Sequence, residues 1–232
     1  MNIFLTGASR GLGLELLKEA VARGYHVYAT VRDEAGKENV QQHLSKEQLN
    51  QVTILMLDVK DELQIKNAAA QLKEDQVKLD VIINSAAVLL ARQTAITELD
   101  FKAMYDSFEV NLFGAMYVVK HFLPLLNQAG ATILNISSEA GSITNAYAGD
   151  YPYSLSKCAL NLFSEQLSRS LKEDNIKVWS IHPGWMKTDM GGPDAALEAS
   201  ESAQAIINIA DGSQRVHSTQ SFINYKGEPM QI

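Results

Sequence analysis

The chain has 232 residues, of which 46% are hydrophobic and 20% charged, and a formal net charge of −7. These proportions are typical of globular proteins and exclude a disordered or fibrous chain. The excess of acidic side chains also excludes nucleic acid as the main partner, because phosphate backbones are bound by clustered lysine and arginine.

Short β-branched segments alternate with longer amphipathic segments along the chain. This alternation predicts right-handed βαβ units and an α/β Rossmann fold, with a doubly wound seven-stranded parallel sheet covered by helices on both faces. Helices are expected at 12–23, where Gly24 ends the first one, at 63–72 and at 101–123. The seven strands are predicted at 2–6, 25–31, 51–57, 79–84, 131–136, 177–182 and 220–224. One domain, 1–232, is the better division of the chain.

A glycine-rich turn follows the first strand directly and opens the first helix, with the sequence Thr-Gly-Ala-Ser-Arg-Gly-Leu-Gly at 6–13. Gly7 and Gly11 allow a tight turn and a close approach to a pyrophosphate, and Gly13 lets the helix pack near the sheet. The helix N-terminus offers free N–H groups to phosphates. A plain strand-to-helix turn is the alternative, whereas a Walker A loop is excluded because no Gly-Lys-Ser/Thr follows.

The end of the second strand predicts which dinucleotide binds. An acidic residue there would bind the ribose 2′-hydroxyl and repel a 2′-phosphate. This strand ends in the neutral Val31 followed by Arg32, and Arg10 is a second cation in the glycine turn. The pattern favours NADP(H) over NAD(H), although Asp33 could still face the ribose.

Tyr153 and Lys157 stand at i and i+4, which places a phenol and an ammonium on one helix face. A nearby cation stabilises phenolate, so we expect Lys157 to lower the pKa of Tyr153 and fit it for proton transfer. Asp150 is the expected N-cap of this helix. Tyr151 is a weaker candidate acid, because no lysine follows it at i+4.

Polar residues also end the neighbouring strands, where open α/β sheets bind their ligands. Asn84 ends the fourth predicted strand, and Ser137 and Ser138 follow the fifth. Asn111 is a polar residue within the long apolar helical run. The segment 183–188 follows the sixth strand.

In the order of these motifs, the whole chain resembles the short-chain dehydrogenase/reductase family in its compact single-domain form. The resemblance implies a catalytic tetrad of Asn111, Ser138, Tyr153 and Lys157, with Asn111 anchoring a water that links Lys157 to solvent. It also implies cofactor contacts from residues of the glycine turn, the strand ends and the segment after the sixth strand: Gly7, Ser9, Arg10, Gly11, Leu12, Gly13, Arg32, Asp58, Val59, Asn84, Ala86, Tyr153, Lys157, Pro183, Gly184, Met186 and Thr188.

The segment 182–192 and the segment 222–227 are similar to the sniffer-like carbonyl reductases within that family. Two positions depart from the family pattern. Ala87 stands where the family has glycine, and the interval from Ser138 to Tyr153 is two residues longer than the commonest one. An inserted loop around 145–150 would absorb the extra residues, and the choice of Ser138 over Ser137 depends on it.

The resemblance implies a carbonyl reductase that transfers hydride between NADP(H) and a small carbonyl or alcohol. A loop around 186–196 is expected to cover the substrate, with Trp185, Met186 and Met190 facing 88–90 as an apolar wall. The alternatives are a non-catalytic NADP-binding redox sensor and a methyltransferase on a related sheet.

The remaining features predict the setting of the protein. The one cysteine, Cys158, cannot form an internal disulfide, which indicates a reducing cytoplasm. No apolar run is long enough for a membrane helix, and the five histidines lack metal-ligand spacing. The apolar length of 101–125 and 158–171 is typical of helices that pair in a homodimer or homotetramer.

Overall fold

Strands and helices alternate through the computed structural model, which describes residues 1–127 and 130–232. Their bounds are β1 (Asn2–Thr6), α1 (Gly11–Ala22), β2 (His26–Val31), α2 (Glu34–His43), α3 (Lys46–Leu49), β3 (Val52–Met56), α4 (Glu62–Glu74), β4 (Val81–Asn84), α5 (Phe101–Phe108), α6 (Gly114–Phe122), β5 (Thr132–Ile136), α7 (Tyr151–Ser170), β6 (Lys177–His182), β7 (Met186–Lys187), β8 (Leu197–Glu198), α8 (Ala199–Ala210) and β9 (Phe222–Asn224).

Seven of these strands form one sheet in the order β3-β2-β1-β4-β5-β6-β9, and every neighbouring pair is parallel. The predicted doubly wound Rossmann sheet is confirmed. The direction of winding reverses between β1 and β4, and such a switch point opens a crevice at the carboxyl ends of the strands. The expected binding edge of the sheet is therefore the one that carries the ends of β1, β4 and β5.

The core lies in two layers because successive side chains of a strand point to opposite faces. Ile3 and Leu5 pack with α1 and α8 on one face, whereas Phe4 packs with α4 and α6 on the other. Phe4 and Phe122 lie with ring centroids 3.9 Å apart. Fully burying each large apolar side chain stabilises the fold by roughly 1.5–3 kcal/mol, which fixes the sheet as a rigid base for the site.

The long helix predicted at 101–123 is interrupted in the structure. Between α5 and α6 the chain forms a π-helical segment, Glu109–Phe113, with Asn111 at its middle. A π-turn inserts an extra residue per turn and is often found at functional sites. Apolar periodicity did not reveal it, because the segment continues the run of apolar residues on both sides.

The late segment is also more ordered than the sequence predicted. Strand β7 pairs with β8 in a small parallel sheet that brackets the residues between them.

In the described residues no helix is long and apolar enough to cross a membrane.

Candidate active site

The ends of β1, β4 and β5 lie side by side, since the register pairs Thr6 with Asn84 and Asn84 with Asn135. The Asn84 amide donates a 2.9 Å hydrogen bond to Asn135 Oδ1. The Thr6 hydroxyl oxygen accepts from the backbone N–H groups of Ser85 and Ala86, at 3.0 and 3.2 Å. These bonds tie the loop after β4 to the loop after β1.

The glycine turn has the tight geometry that the sequence predicts. Gly7 and Gly11 adopt φ values of 71° and 53°, which side-chain-bearing residues rarely take. A Cβ on Gly7 would stand 2.8 Å from the Ala86 Cα, and one on Gly13 only 2.0 Å from the Gly7 carbonyl oxygen. The glycines thus allow β1, α1 and the loop after β4 to meet closely, and the first N–H groups of α1 face this turn.

Two other residues of the turn have contacts of their own. The Ser9 carbonyl accepts a 2.6 Å hydrogen bond from Asn39 of α2, which holds that helix beside the turn. The Leu12 side chain is buried in the core under α1, so only its backbone can face a ligand.

Arg32 is exposed at the end of β2, with its guanidinium 3.4 Å from Asp33. The Asp33 carboxylate accepts from the Gly36 N–H at 2.9 Å and so caps α2. This hydrogen bond is the largest cause of a lowered Asp33 pKa. Asp33, the acidic residue that could have faced a ribose, is therefore engaged in capping a helix.

Arg10 is also exposed, and its guanidinium lies 3.5 Å from Asp189 of the late segment. Arg10 and Arg32 stand at the β1–β2 end of the edge, whereas Lys157 lies at the end of β5, beyond β4. The structure thus distributes these three cations along the edge instead of gathering them in one cluster.

Asp58 and Val59 follow β3. The Asp58 carboxylate accepts from the Lys60 N–H at 3.0 Å, and its own N–H donates to Gln64 at 2.9 Å. Val59 is buried, and a Cβ on Gly114 would stand 2.9 Å from its Cβ. These contacts fix the third strand's end beside the start of α6.

Lys157 is 2% exposed and its Nζ donates a 2.7 Å hydrogen bond to the carbonyl oxygen of Ile136. The same Nζ lies 5.5 Å from the centroid of the Tyr153 ring, one turn earlier on α7. The helical spacing therefore brings the phenol and the amine together beside the end of β5, as the sequence predicts.

The two serines after β5 have different partners. The Ser137 hydroxyl is buried and donates to the backbone carbonyl of Lys157 at 3.3 Å. The Ser138 hydroxyl oxygen accepts from the Ala140 N–H at 3.1 Å, and the Ser138 side chain lies near enough to Tyr153 to lower the pKa of the phenol. The geometry places Ser138, not Ser137, beside the phenol, in spite of the longer interval to Tyr153.

Burial shifts the pKa values of the central pair in opposite directions. Burial raises the pKa of Tyr153 to about 12, an effect that the neighbouring Ser138 side chain opposes and the nearby Tyr147 and Asp150 reinforce. Burial lowers the pKa of Lys157 to about 7. The expectation that Lys157 lowers the pKa of Tyr153 does not hold in this structure, because Lys157 is itself desolvated and directed to Ile136.

Asn111 lies in the π-helical segment and holds three elements together. Its Oδ1 accepts from the Val88 N–H at 2.8 Å, and its Nδ2 donates to the Val88 carbonyl and to the Ser156 hydroxyl, at 3.0 and 2.9 Å. The π-turn thereby joins the loop after β4 to α7, next to Lys157.

The segment after β6 crosses the glycine turn. The Pro183 carbonyl accepts from Ser202 of α8 at 2.6 Å, and Gly184 has a φ of 87°. The Thr188 methyl lies 3.7 Å from the place that a Cβ on Gly11 would take. Met186 packs partly against the core, so it contributes less to the expected apolar wall than Trp185, which is 54% exposed.

Asp150 is the N-cap residue of α7, as the sequence predicts, but its side chain makes no capping hydrogen bond to the helix. Asp150 has a left-handed backbone, φ 50°, and its carboxylate accepts from the Gln93 N–H at 2.8 Å and the Tyr147 hydroxyl at 3.3 Å. The carboxylate instead ties the loop before α7 to the loop after β4. Periodicity and cap rules gave no sign of this long-range contact.

The residues fit a dinucleotide at this edge. The glycine turn is built from closely packed backbone, because a Cβ on Gly7 or Gly13 would meet the backbone of Ala86 or Gly7, and the buried Asn84 Oδ1 beside it has no hydrogen-bond partner within the described residues. Across the same residues, no group of three or more His, Cys, Asp or Glu side chains is placed to hold a metal ion.

A family model described as short chain dehydrogenase matches residues 1–198. The chain belongs to the short-chain dehydrogenase family. It is accordingly an NAD(P)-dependent oxidoreductase, and the resemblance drawn from its motifs is confirmed.

Several relatives of this short-chain dehydrogenase are close in sequence or structure. The carbonyl reductase Sniffer of Drosophila melanogaster has a TM-score of 0.88 and 30% identity, with 100% of this chain and 99% of that chain covered. An NADPH-bound carbonyl reductase from chicken fatty liver has a TM-score of 0.88 and 30% identity, with 100% of this chain and 98% of that chain covered. The protein named C-signal from Myxococcus xanthus is 35% identical over 151 residues, which is 64% of this chain and 90% of that protein.

Proposed function

We propose that this short-chain dehydrogenase is an NADP(H)-dependent carbonyl reductase acting on a small hydrophobic carbonyl or alcohol. The observation that carries the proposal is the grouping of Ser138, Tyr153 and Lys157 at the end of β5. This group lies on the sheet edge that also bears the glycine turn. Sniffer and the chicken enzyme, both carbonyl reductases, support the same reaction class.

A bound nicotinamide cofactor would supply the hydride. Tyr153 would give the proton to the carbonyl oxygen as negative charge develops there, and its raised pKa keeps it protonated at neutral pH. Ser138 would donate a hydrogen bond to the same oxygen and stabilise that charge. Lys157, buried beneath the phenol, would bind ribose hydroxyls of the cofactor, and Asn111 would hold the water that reaches Lys157.

The preference for NADP(H) rests on the two arginines near the glycine turn. Arg32 stands exposed at the end of β2, where it can form charge-assisted hydrogen bonds to a 2′-phosphate. Asp33 would be a poor acceptor for a 2′-hydroxyl, because its carboxylate caps α2, and the neighbouring Arg32 guanidinium at 3.4 Å offsets its charge. The remaining contacts would come from the glycine turn, Asp58, Val59, Asn84 and the segment at 183–188.

The substrate would enter under the loop around 186–196. Trp185 is exposed at its start, and its indole N–H donates to the Gly191 carbonyl at 2.8 Å, which braces the loop. With Met190 and the segment at 88–90, Trp185 would form an apolar wall that favours a hydrophobic or aromatic carbonyl over a charged sugar.

The same proposal includes a cytoplasmic location, assembly as a homodimer or homotetramer, and a single domain over 1–232.

Two measurements test this function. Fluorescence titration with NADPH and NADH should show tighter binding of NADPH, and NADPH oxidation should be detectable with at least one aromatic aldehyde or ketone in a panel. Tight NADPH binding without turnover on any carbonyl would support the alternative, a redox sensor without catalysis. Failure to bind either cofactor would contradict both the reductase and the sensor.

A further inference from the structure

His182 connects the two loops that follow β5 and β6. It is the last residue of β6, directly before Pro183, and its side chain is only 15% exposed. Its Nδ1 lies 3.2 Å from the backbone nitrogen of Glu139, which donates a hydrogen bond to it. Glu139 is the residue after Ser138, so the imidazole reaches the peptide unit that carries the serine.

This contact specifies the protonation state of the imidazole. Because Nδ1 accepts a hydrogen bond, the ring must be neutral, with its proton on Nε2. Nε2 lies 3.9 Å from the Glu139 carboxylate, which is the charged group within ion-pair distance of His182 in the described residues. Burial lowers the pKa of His182, and the Glu139 charge opposes that shift.

The Ser138 turn is held on its other side by α7. The Ser138 hydroxyl oxygen accepts from the Ala140 N–H at 3.1 Å, and its carbonyl accepts from the Gly141 N–H at 3.0 Å. A Cβ on Gly141 would stand 2.6 Å from the carbonyl carbon of Lys157, so this turn lies directly on the helix. The Glu139 N–H of the same turn is bound by the imidazole at the end of β6.

We propose that His182 is a positioning residue that orients Ser138 through the Glu139 backbone N–H and couples the Ser138 turn to the Pro183 segment. The proposal rests on the carbonyl reductase function, in which Ser138 binds the substrate oxygen. Protonation of His182 would turn Nδ1 from an acceptor into a donor and break the hydrogen bond to Glu139. The kcat should therefore fall as the pH drops through the pKa of His182, which burial places below the ordinary histidine value.

Three variants separate positioning from general packing. His182→Leu removes the acceptor, whereas His182→Asn places an amide oxygen near Nδ1 and cannot titrate. His217→Asn is the matched control, because His217 is exposed. Thermal unfolding and NADPH fluorescence titration of each variant establish that it is folded and binds cofactor.

We expect His182→Leu to lower kcat about tenfold, the order of one lost hydrogen bond, with NADPH affinity within about twofold of wild type. His182→Asn should keep most of the wild-type kcat and lose the acidic fall in the pH profile. His217→Asn should behave as wild type. An unchanged kcat in His182→Leu, or an unchanged acidic limb in His182→Asn, would overturn the proposal.

An NMR titration of the imidazole resonances, assigned by their loss in His182→Asn, gives a readout that needs no turnover. His182 should be the Nε2-protonated tautomer, and its pKa should lie below the ordinary histidine value. Absence of turnover in the wild type would count against the reductase function. The tautomer of His182 would then still show whether its Nδ1 accepts the hydrogen bond from the Glu139 N–H. An Nδ1-protonated His182 would refute the inference whether or not the enzyme is active.

Discussion

The amine of Lys157 donates a 2.7 Å hydrogen bond to the carbonyl oxygen of Ile136, deep between α7 and the end of β5. A buried amine with a neutral partner loses more hydration as a cation than as a neutral group. This is the cause of its lowered pKa, about 7. Protonation of Lys157 therefore destabilises the folded protein.

The first prediction concerns stability against pH in Lys157→Met. The unfolded chain binds a proton at Lys157 up to its ordinary pKa of 10.5, whereas the folded chain releases it near 7. Wild type should thus gain stability relative to Lys157→Met as pH rises from 7 to 10, by about 1.4 kcal/mol per pH unit at most. Urea unfolding at several pH values measures this difference.

The exposed Lys73 on α4 provides the control for that experiment. Lys73→Met should follow the pH dependence of the wild type over the whole range. A constant stability difference between wild type and Lys157→Met would show that Lys157 is charged in the folded protein at neutral pH.

The second prediction separates the two serines after β5. Ser138→Ala should reduce kcat about 100-fold, as is typical for removal of one donor to a developing oxyanion. Ser137→Ala should instead cost about 1 kcal/mol of unfolding free energy, because its buried hydroxyl donates to the Lys157 carbonyl. Equal losses of kcat in both variants would contradict the assignment of Ser138 as the substrate-facing serine.

The third prediction concerns cofactor choice. Arg32→Ala should raise the Kd for NADPH about 10- to 100-fold, the order expected when a charge-assisted hydrogen bond is lost, and leave the Kd for NADH nearly unchanged. Arg169→Ala, which removes an exposed arginine of α7, serves as the control. Equal weakening of NADPH and NADH in Arg32→Ala would mean that Arg32 does not bind the 2′-phosphate.

The sequence predicts the sheet because each strand is a short, largely apolar segment that alternates with an amphipathic one. The predicted strand at 177–182 matches β6, and the predicted strand at 25–31 differs from β2 by one residue. The glycine turn and the Tyr153–Lys157 pair are also predictable, since both depend on residues close in sequence.

Features that depend on distant partners were not predictable. The π-turn at Asn111 is stabilised by Val88 and Ser156, and the Asp150 carboxylate by Gln93, so no local pattern identifies either one. The pKa of Tyr153 was predicted in the wrong direction, because burial of the pair outweighs the nearby amine. Local spacing predicts which groups meet, whereas their titration depends on the whole surrounding structure.

The most direct test of the proposed chemistry is Tyr153→Phe, which removes one hydroxyl and keeps the ring beside Lys157. The variant should bind NADPH with nearly the wild-type Kd and lose at least 10²- to 10⁴-fold in kcat for carbonyl reduction, the range that a general acid contributes. Fluorescence titration and NADPH oxidation with one aromatic aldehyde measure both values on the same preparation. Full activity in Tyr153→Phe would contradict the assignment of Tyr153 as the proton donor.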